Sequence, residues 1–137
     1  MSDLILKGRK VHEGVAEGEA LVTKSSLAGY GAFDLDKGTV IEYGHDWFQK
    51  EIAGKVLVFN TGKGSSAWSI GAHSLRFAGK APLAVIVKQV NPQIALGSVV
   101  MRVPAITLSD PDPTEVISTG DWVKVDADRG IVEVQKR

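Results

Sequence analysis

At 137 residues, with 44% apolar and 23% charged side chains, the chain has the size and composition of one globular domain, spanning 1–137, that buries a core without covalent staples. Lysine plus arginine equal aspartate plus glutamate at 16 each, so charge gives no reason to expect nucleic acid or an anionic membrane as partner. The absence of cysteine excludes a disulfide, a thiolate-held iron–sulfur cluster and a cysteine nucleophile within this chain. The opening MSDLILKGRKVHEG has a short apolar run and no small-residue cleavage site, so it does not read as a signal peptide. No apolar stretch approaches the ~20 residues that span a bilayer, and a soluble cytoplasmic protein is expected.

In chain order, LILK (4–7) and VAEGEALVT (15–23) predict short strands, the second alternating as a half-buried strand does. Glycine, serine and aspartate punctuate 25–38 as a long loop, followed by a short strand at TVIEY (39–43). KVLVF (55–59) is apolar at four of five positions, as a strand covered on both faces requires. Residues 66–78 predict a helix with Trp68, Ala72 and Leu75 on one stripe, stopped by Gly79. LAVIV (83–87) is a second buried strand, 92–102 a short helix with proline in its first turn, and VPAITL (103–108) a third strand. DPDPTEVI is turn material entering a helical turn, and 122–126 with 131–135 form a hairpin. The predicted class is α/β: a small parallel sheet with right-handed crossover helices, plus a second sheet or partial barrel from the outer strands.

Between the strand at 55–59 and the helix at 66–78 lies TGKGSS, at the carboxyl edge of a strand, where open α/β sheets bind ligands. Gly62 and Gly64 allow close backbone approach, and the amides of a first helical turn favour an anion, with the Lys63 charge beside them. It is not a nucleotide P-loop, because Leu57 stands where the first glycine belongs and Gly64 follows the lysine. Two readings stay open on spacing alone. Ser65 either caps the helix, or belongs to an anion-binding or catalytic turn, in which case its weakly acidic hydroxyl needs neighbours that stabilise an alkoxide. His12, His45 and His73 carry no local signature that would join Ser65 in a triad.

The segments GVAEGEALV (14–22), GAFDLDKG (31–38), His45, IAGKVLVFNTGKGSS (52–66), GKAPLAVIV (79–87) and IALGSVVMRVPAI (94–106) together resemble the swivel domain of aconitase X in its separate small-subunit form. The resemblance covers roughly residues 5–125, and its specific part is the glycine-serine block with the ALGSVVM and VPAI segments downstream. It implies a swivelling β/β/α domain and a two-subunit hydro-lyase acting on a small hydroxy acid. It further implies that Ser65 is the base that takes the proton beside the substrate carboxylate, and that Gly62, Lys63, Gly64 and Ser66 help bind the substrate anion. The large catalytic subunit of aconitase X type would carry an iron–sulfur cluster as Lewis acid, with none bound by this chain. Family activities are dehydration of cis-3-hydroxy-L-proline and of mevalonate 5-phosphate.

Three positions depart from the pattern. Ala67 replaces the arginine that follows the serine pair in aconitases proper, which argues against polycarboxylates such as citrate. The loop at 30–38 keeps Gly31, Asp34 and Gly38 but lacks the usual proline. Thr61 replaces an arginine that would suit a phosphate, which tilts the expectation slightly toward cis-3-hydroxy-L-proline. Two alternatives stand beside this reading. The tail GDWVKVDADRGIVEV (120–134) with RVPAIT resembles the phosphohistidine swivel domain of phosphotransfer enzymes, although KQVNPQIALG has no histidine where that domain needs one. The other is a non-catalytic regulatory module that uses its anion turn for docking. Asp34 reads as turn-forming, Asp110, Asp112 and Glu115 as turns and a helix start rather than a metal site, and His73 as structural.

Overall fold

Strands β7 (Val56–Phe59) and β9 (Ala84–Val87) are buried at every position in the computed structural model, which describes residues 2–137. Their side chains divide by the strand period of two. Val56, Val58, Ala84 and Ile86 enter one core cluster; Leu57, Phe59, Val85 and Val87 enter another on the opposite face. The second face is covered by α1 (Trp68–Phe77) and α2 (Pro92–Met101), the crossover helices that connect β7 to β9 and β9 to β10 (Ala105–Thr107) in parallel. The first face is closed by the sheet itself.

That closure follows from strand order. With β1 (Leu4–Lys7), β2 (Arg9–His12), β3 (Val15–Val22), β11 (Trp122–Asp126) and β12 (Ile131–Gln135), the eight-stranded sheet runs β1-β12-β11-β3-β7-β9-β10-β2. Its two outermost strands are neighbours in the chain, joined by Gly8 alone, so the sheet curls until its edges meet. A side chain at Gly8 would lie 2.6 Å from Ile106 Cγ2 and 2.7 Å from the Thr107 carbonyl, so only glycine passes there. Val123, Val125, Val132 and Val134 line the interior from the hairpin, each with zero exposure.

The expected parallel sheet and partial barrel are thus one structure, and β3 joins β7 in parallel rather than lying in a second sheet. The helices begin and end within two residues of expectation, at 68–77 and 92–101, the latter closed by Arg102 in the left-handed region. The helical turn after Asp112 is α3 (Pro113–Val116), and the hairpin matches residue for residue. Strand β2 was not anticipated, because RKVH has no apolar alternation; it is a polar edge strand paired to β10 through a bulge. The loop 25–38 contains two tiny strands, β4 (Leu27–Ala28) and β5 (Phe33–Asp34), and the strand expected at 39–43 is only β6 (Thr39–Val40). No helix among the described residues is long and apolar enough to cross a membrane.

The loop packs on α1 where two glycines meet. The Trp68 indole donates to the Leu27 carbonyl at 2.9 Å, and the ring lies so close to Gly29 that a Cβ there would sit 2.1 Å from it. A Cβ at Gly71 would fall 1.7 Å from the Gly29 carbonyl oxygen. Exchanging a helical glycine for alanine ordinarily adds ~1 kcal/mol. Gly71→Ala is expected to reverse that sign and cost about 2–3 kcal/mol through backbone displacement, checked by chemical denaturation.

At the start of β11, the Asp121 carboxylate is buried and accepts hydrogen bonds from the Lys136 ammonium at 2.6 Å, the Ser118 amide at 2.8 Å and the Arg137 amide at 3.1 Å. Burial pushes its pKa up, but those donors outweigh burial and hold it below the ordinary aspartate value. A lowered folded pKa stabilises above the unfolded value of about 3.9, and that stability is lost as pH falls through the folded value. Asp121→Asn is expected to lose about 1.5–3 kcal/mol at pH 7. Denaturation curves of mutant and wild type should converge as the pH drops below about 4.

Candidate functional site

The turn after β7 is built by its neighbours. Residues Gly62–Lys63 form β8, which pairs in parallel with β4, and the Leu27 amide donates to the Thr61 carbonyl at 3.0 Å. Gly64 then takes φ +98° with open space on its Cβ side, a backbone shape that favours glycine for conformation rather than packing. Gly62 is glycine for the other reason, since a Cβ there would come within 2.8 Å of Ile94 Cγ1. The result is that Gly62, Lys63, Gly64, Ser65 and Ser66 occupy one short turn, with the last four exposed at the rim.

Helix α1 starts later than expected, at Trp68, and Ala67 stands at its N-cap with no side-chain cap bond. Ser65 nevertheless accepts from the Ala67 amide at 3.2 Å through Oγ, while its carbonyl accepts from the Trp68 amide at 3.2 Å. The amides of Ser65 and Ser66 donate to no intramolecular acceptor among the described residues. A positive-φ glycine followed by two unspent N–H groups at a helix start is a concave donor site for an anion. The Ser65 hydroxyl lies on its rim. Ser65 thus does not cap α1; its hydroxyl closes the turn just before the helix, beside the unspent amides.

Lys63 is not a free charge. Its ammonium pairs with Glu42, whose other carboxylate oxygen accepts from the Ala28 amide at 3.3 Å. Glu42 thus ties the turn to the loop 25–43 that forms its wall. On the other side, Asn91 caps α2 by accepting from the Ile94 amide at 3.0 Å and donates to the Gly62 carbonyl at 2.7 Å. Gln93 donates to the Gly64 carbonyl at 3.1 Å. Beside the turn, Ser66, Pro92, Gln93 and Leu96 line a hollow of about 240 Å³.

Sequence reasoning did not reach Glu42, Asn91 or Gln93. Asn91 had a readable signal, an asparagine directly before a helix-starting proline. Glu42 and Gln93 had none, since their contacts lie more than 20 residues away in sequence.

Other candidates are occupied elsewhere. His45 is buried; its Nδ1 accepts the Trp47 amide at 2.9 Å and its Nε2 donates to the Ser26 carbonyl at 3.0 Å. Its ring is a clamp on the loop. Asp34 spends its carboxylate on the amides of Asp36 and Lys37, closing a turn. Thr61 has its hydroxyl enclosed without a partner, so it offers nothing to a ligand above the turn. His73 is exposed and stacks edge-on against Phe77, with ring centroids 4.5 Å apart. No group of three or more histidine, aspartate or glutamate side chains among the described residues could hold a metal ion.

Residues 5–134 match the aconitase X swivel domain family. The phosphomevalonate dehydratase small subunit of Methanosarcina acetivorans is 36% identical over 136 residues, covering 99% of this chain and 94% of that protein. The protein of the same description from Methanocella arvoryzae is 38% identical over 129 residues, covering 94% and 98%. The crystal structure of Thermococcus kodakaraensis aconitase X in its holo-form superposes with a TM-score of 0.88 at 37% identity, over 97% of this chain and 99% of that one. Likeness this complete in sequence and fold, end to end on both sides, places the chain in the aconitase X swivel-domain family.

Proposed function

We propose that this chain is the small subunit of a heteromeric hydro-lyase that removes water from a β-hydroxy carboxylate, with Ser65 as the general base. The observation that carries this reading is the exposed Ser65 hydroxyl on a turn whose own amides are unspent. In the forward direction the substrate carboxylate sits against the Ser65 and Ser66 amides. Ser65 Oγ takes the proton from the carbon beside that carboxylate, and the neighbouring carbon releases its hydroxyl as the double bond forms. An alkoxide on Ser65 is stabilised by the Ala67 amide that already reaches Oγ and by the positive end of α1.

The iron–sulfur cluster implied by the family does not fit the residues of this chain. It has no cysteine, and its described residues contain no metal-binding cluster. We assign that group to the large subunit.

Among substrates, the descriptions of the relatives favour mevalonate 5-phosphate. The tilt toward cis-3-hydroxy-L-proline rested on Thr61 standing where an arginine would suit a phosphate. Both molecules present a carboxylate and a β-hydroxyl, so the turn serves either one.

The face offered to the large subunit is the outer surface of α1 and α2. These helices, of ten residues each, carry only Arg76 as a charged residue, against 23% over the whole chain. Their apolar residues Ile70, Phe77, Leu96 and Val99 are 57%, 76%, 50% and 49% exposed. A solvated helix layer is normally charged on its outer side, and this one leads directly into the Ser66 hollow. Ile70→Asp and Val99→Asp should leave the isolated subunit folded and weaken its association with the large subunit at least tenfold, measured by titration of the purified chains.

The decisive measurement is turnover of mevalonate 5-phosphate and of cis-3-hydroxy-L-proline by the reconstituted pair. Ser65→Ala should form the complex normally and lose about 10²–10⁴-fold in kcat. Undiminished turnover would remove Ser65 from the chemistry and favour the regulatory-module reading.

A further inference from the structure

We infer that Asn91 is the positioning residue of the catalytic turn, holding Ser65 at its working place while it caps the neighbouring helix. The inference rests on the role proposed for Ser65 and adds the device that sets its geometry.

Asn91 stands between β9 and α2 in extended backbone, φ −133°, and its side chain makes two bonds of opposite sense. Oδ1 accepts from the Ile94 amide at 3.0 Å, and Nδ2 donates to the Gly62 carbonyl at 2.7 Å. The chemistry of the partners fixes this orientation, since a flipped amide would set NH₂ against N–H and oxygen against oxygen. Ile94, whose amide supplies the first bond, is 1% exposed and packs within van der Waals reach of Gly62. Asn91 therefore couples a fixed object, the start of a buried helix, to a backbone position three residues before Ser65.

The turn's other restraints are local or open to solvent. The Ser65 and Ser66 carbonyls accept from the Trp68 and Ser69 amides at 3.2 and 3.3 Å, Gln93 donates to the Gly64 carbonyl in an exposed bond, and the half-exposed Lys63 pairs with Glu42. Gly64, at positive φ with open space on its Cβ side, gains no restraint from packing there. Asn91, Gln93 and Glu42 are all half-buried residues, but the Asn91 bond to Gly62 is itself part-buried at 2.7 Å, whereas the Gln93 bond to Gly64 is open to solvent. Proton transfer demands placement of Oγ to within a fraction of an ångström, and misplacement by about 1 Å costs ~10²-fold.

Two substitutions separate positioning from folding. Asn91→Asp and Asn91→Ser both keep a good N-cap acceptor for Ile94, and both lose the donor to Gly62. The second does so without adding charge. In the reconstituted enzyme each is expected to lower kcat about 10–100-fold while the melting temperature of the small subunit stays within about 2 °C of wild type. KM should stay within about threefold for Asn91→Ser and rise for Asn91→Asp, whose carboxylate repels an anionic substrate.

Independent of turnover, NMR relaxation on the free subunit should show order parameters at Gly64–Ser66 falling from near 0.85 toward about 0.6 in Asn91→Ser. If Asn91→Ser keeps both full kcat and a rigid turn while Ser65→Ala is inactive, the positioning role is overturned and the base assignment stands. If Ser65→Ala remains active, the base assignment fails, and the order parameters alone decide whether Asn91 holds the turn.

Discussion

Strands β7 and β9 are apolar on both faces, and the rest of the molecule is arranged to keep both faces dry. A strand of this kind cannot rest on a single layer. One face is covered by α1 and α2, held over it by Trp68, Leu75 and Ile94, which are nearly or fully enclosed. The other is covered by the sheet's own curvature, which brings the valines of β11 and β12 across the interior. Chain direction then decides where chemistry can occur. Both strands leave the core at the same rim, and the chain turns from each into a helix there. The glycine-serine turn and Asn91 are neighbours because β7 and β9 are neighbours.

This explains which features were legible in the sequence. KVLVF and LAVIV are readable as doubly covered strands because burial on both faces leaves no polar position. The hairpin 122–135 is readable because its alternation and its Asp-Arg-Gly turn agree. RKVH gave no signal, as this edge strand is held by backbone bonds to β10, with Arg9 and Lys10 exposed and only Val11 packed on the core. The segment 25–43 was legible as a loop over 25–38 followed by a short strand at 39–43, of which only Thr39–Val40 is strand. Its shape comes from single long-range contacts, such as Trp68 to the Leu27 carbonyl and His45 to the Ser26 carbonyl, which leave no periodic trace.

The site divides along the same line. The residues of the turn itself, Gly62 to Ser66, were readable because glycine and serine act through backbone shape and a local hydroxyl. The residues that hold the turn were not. Glu42 looks like any surface carboxylate, and Asn91 like any helix cap, until the fold brings their second partner within reach. Sequence also suggested a choice between helix cap and anion turn for Ser65, but the N-cap is Ala67 without a side-chain bond, and Ser65 sits in the turn ahead of the helix. One lone pair of Oγ accepts the Ala67 amide while the hydroxyl stays at the exposed rim.

The pairing of Lys63 with Glu42 bears on how such a turn can wait for its substrate. Lys63 is half exposed, and an ion pair in that setting contributes at most ~1 kcal/mol. Under the proposed function, a carboxylate or phosphate held by two backbone amides and a helix start would offer the ammonium more than Glu42 alone, because the large subunit would exclude water from the site. Glu42 would then lose its pairing but keep its contact with the Ala28 amide, so the wall of the loop need not move. In the free subunit the same pairing keeps the rim close to neutral and the lysine out of adventitious contacts. Under the proposed function, exchanging one weak partner for a stronger one would let a chain with no net charge present a cation only where, and when, an anion arrives.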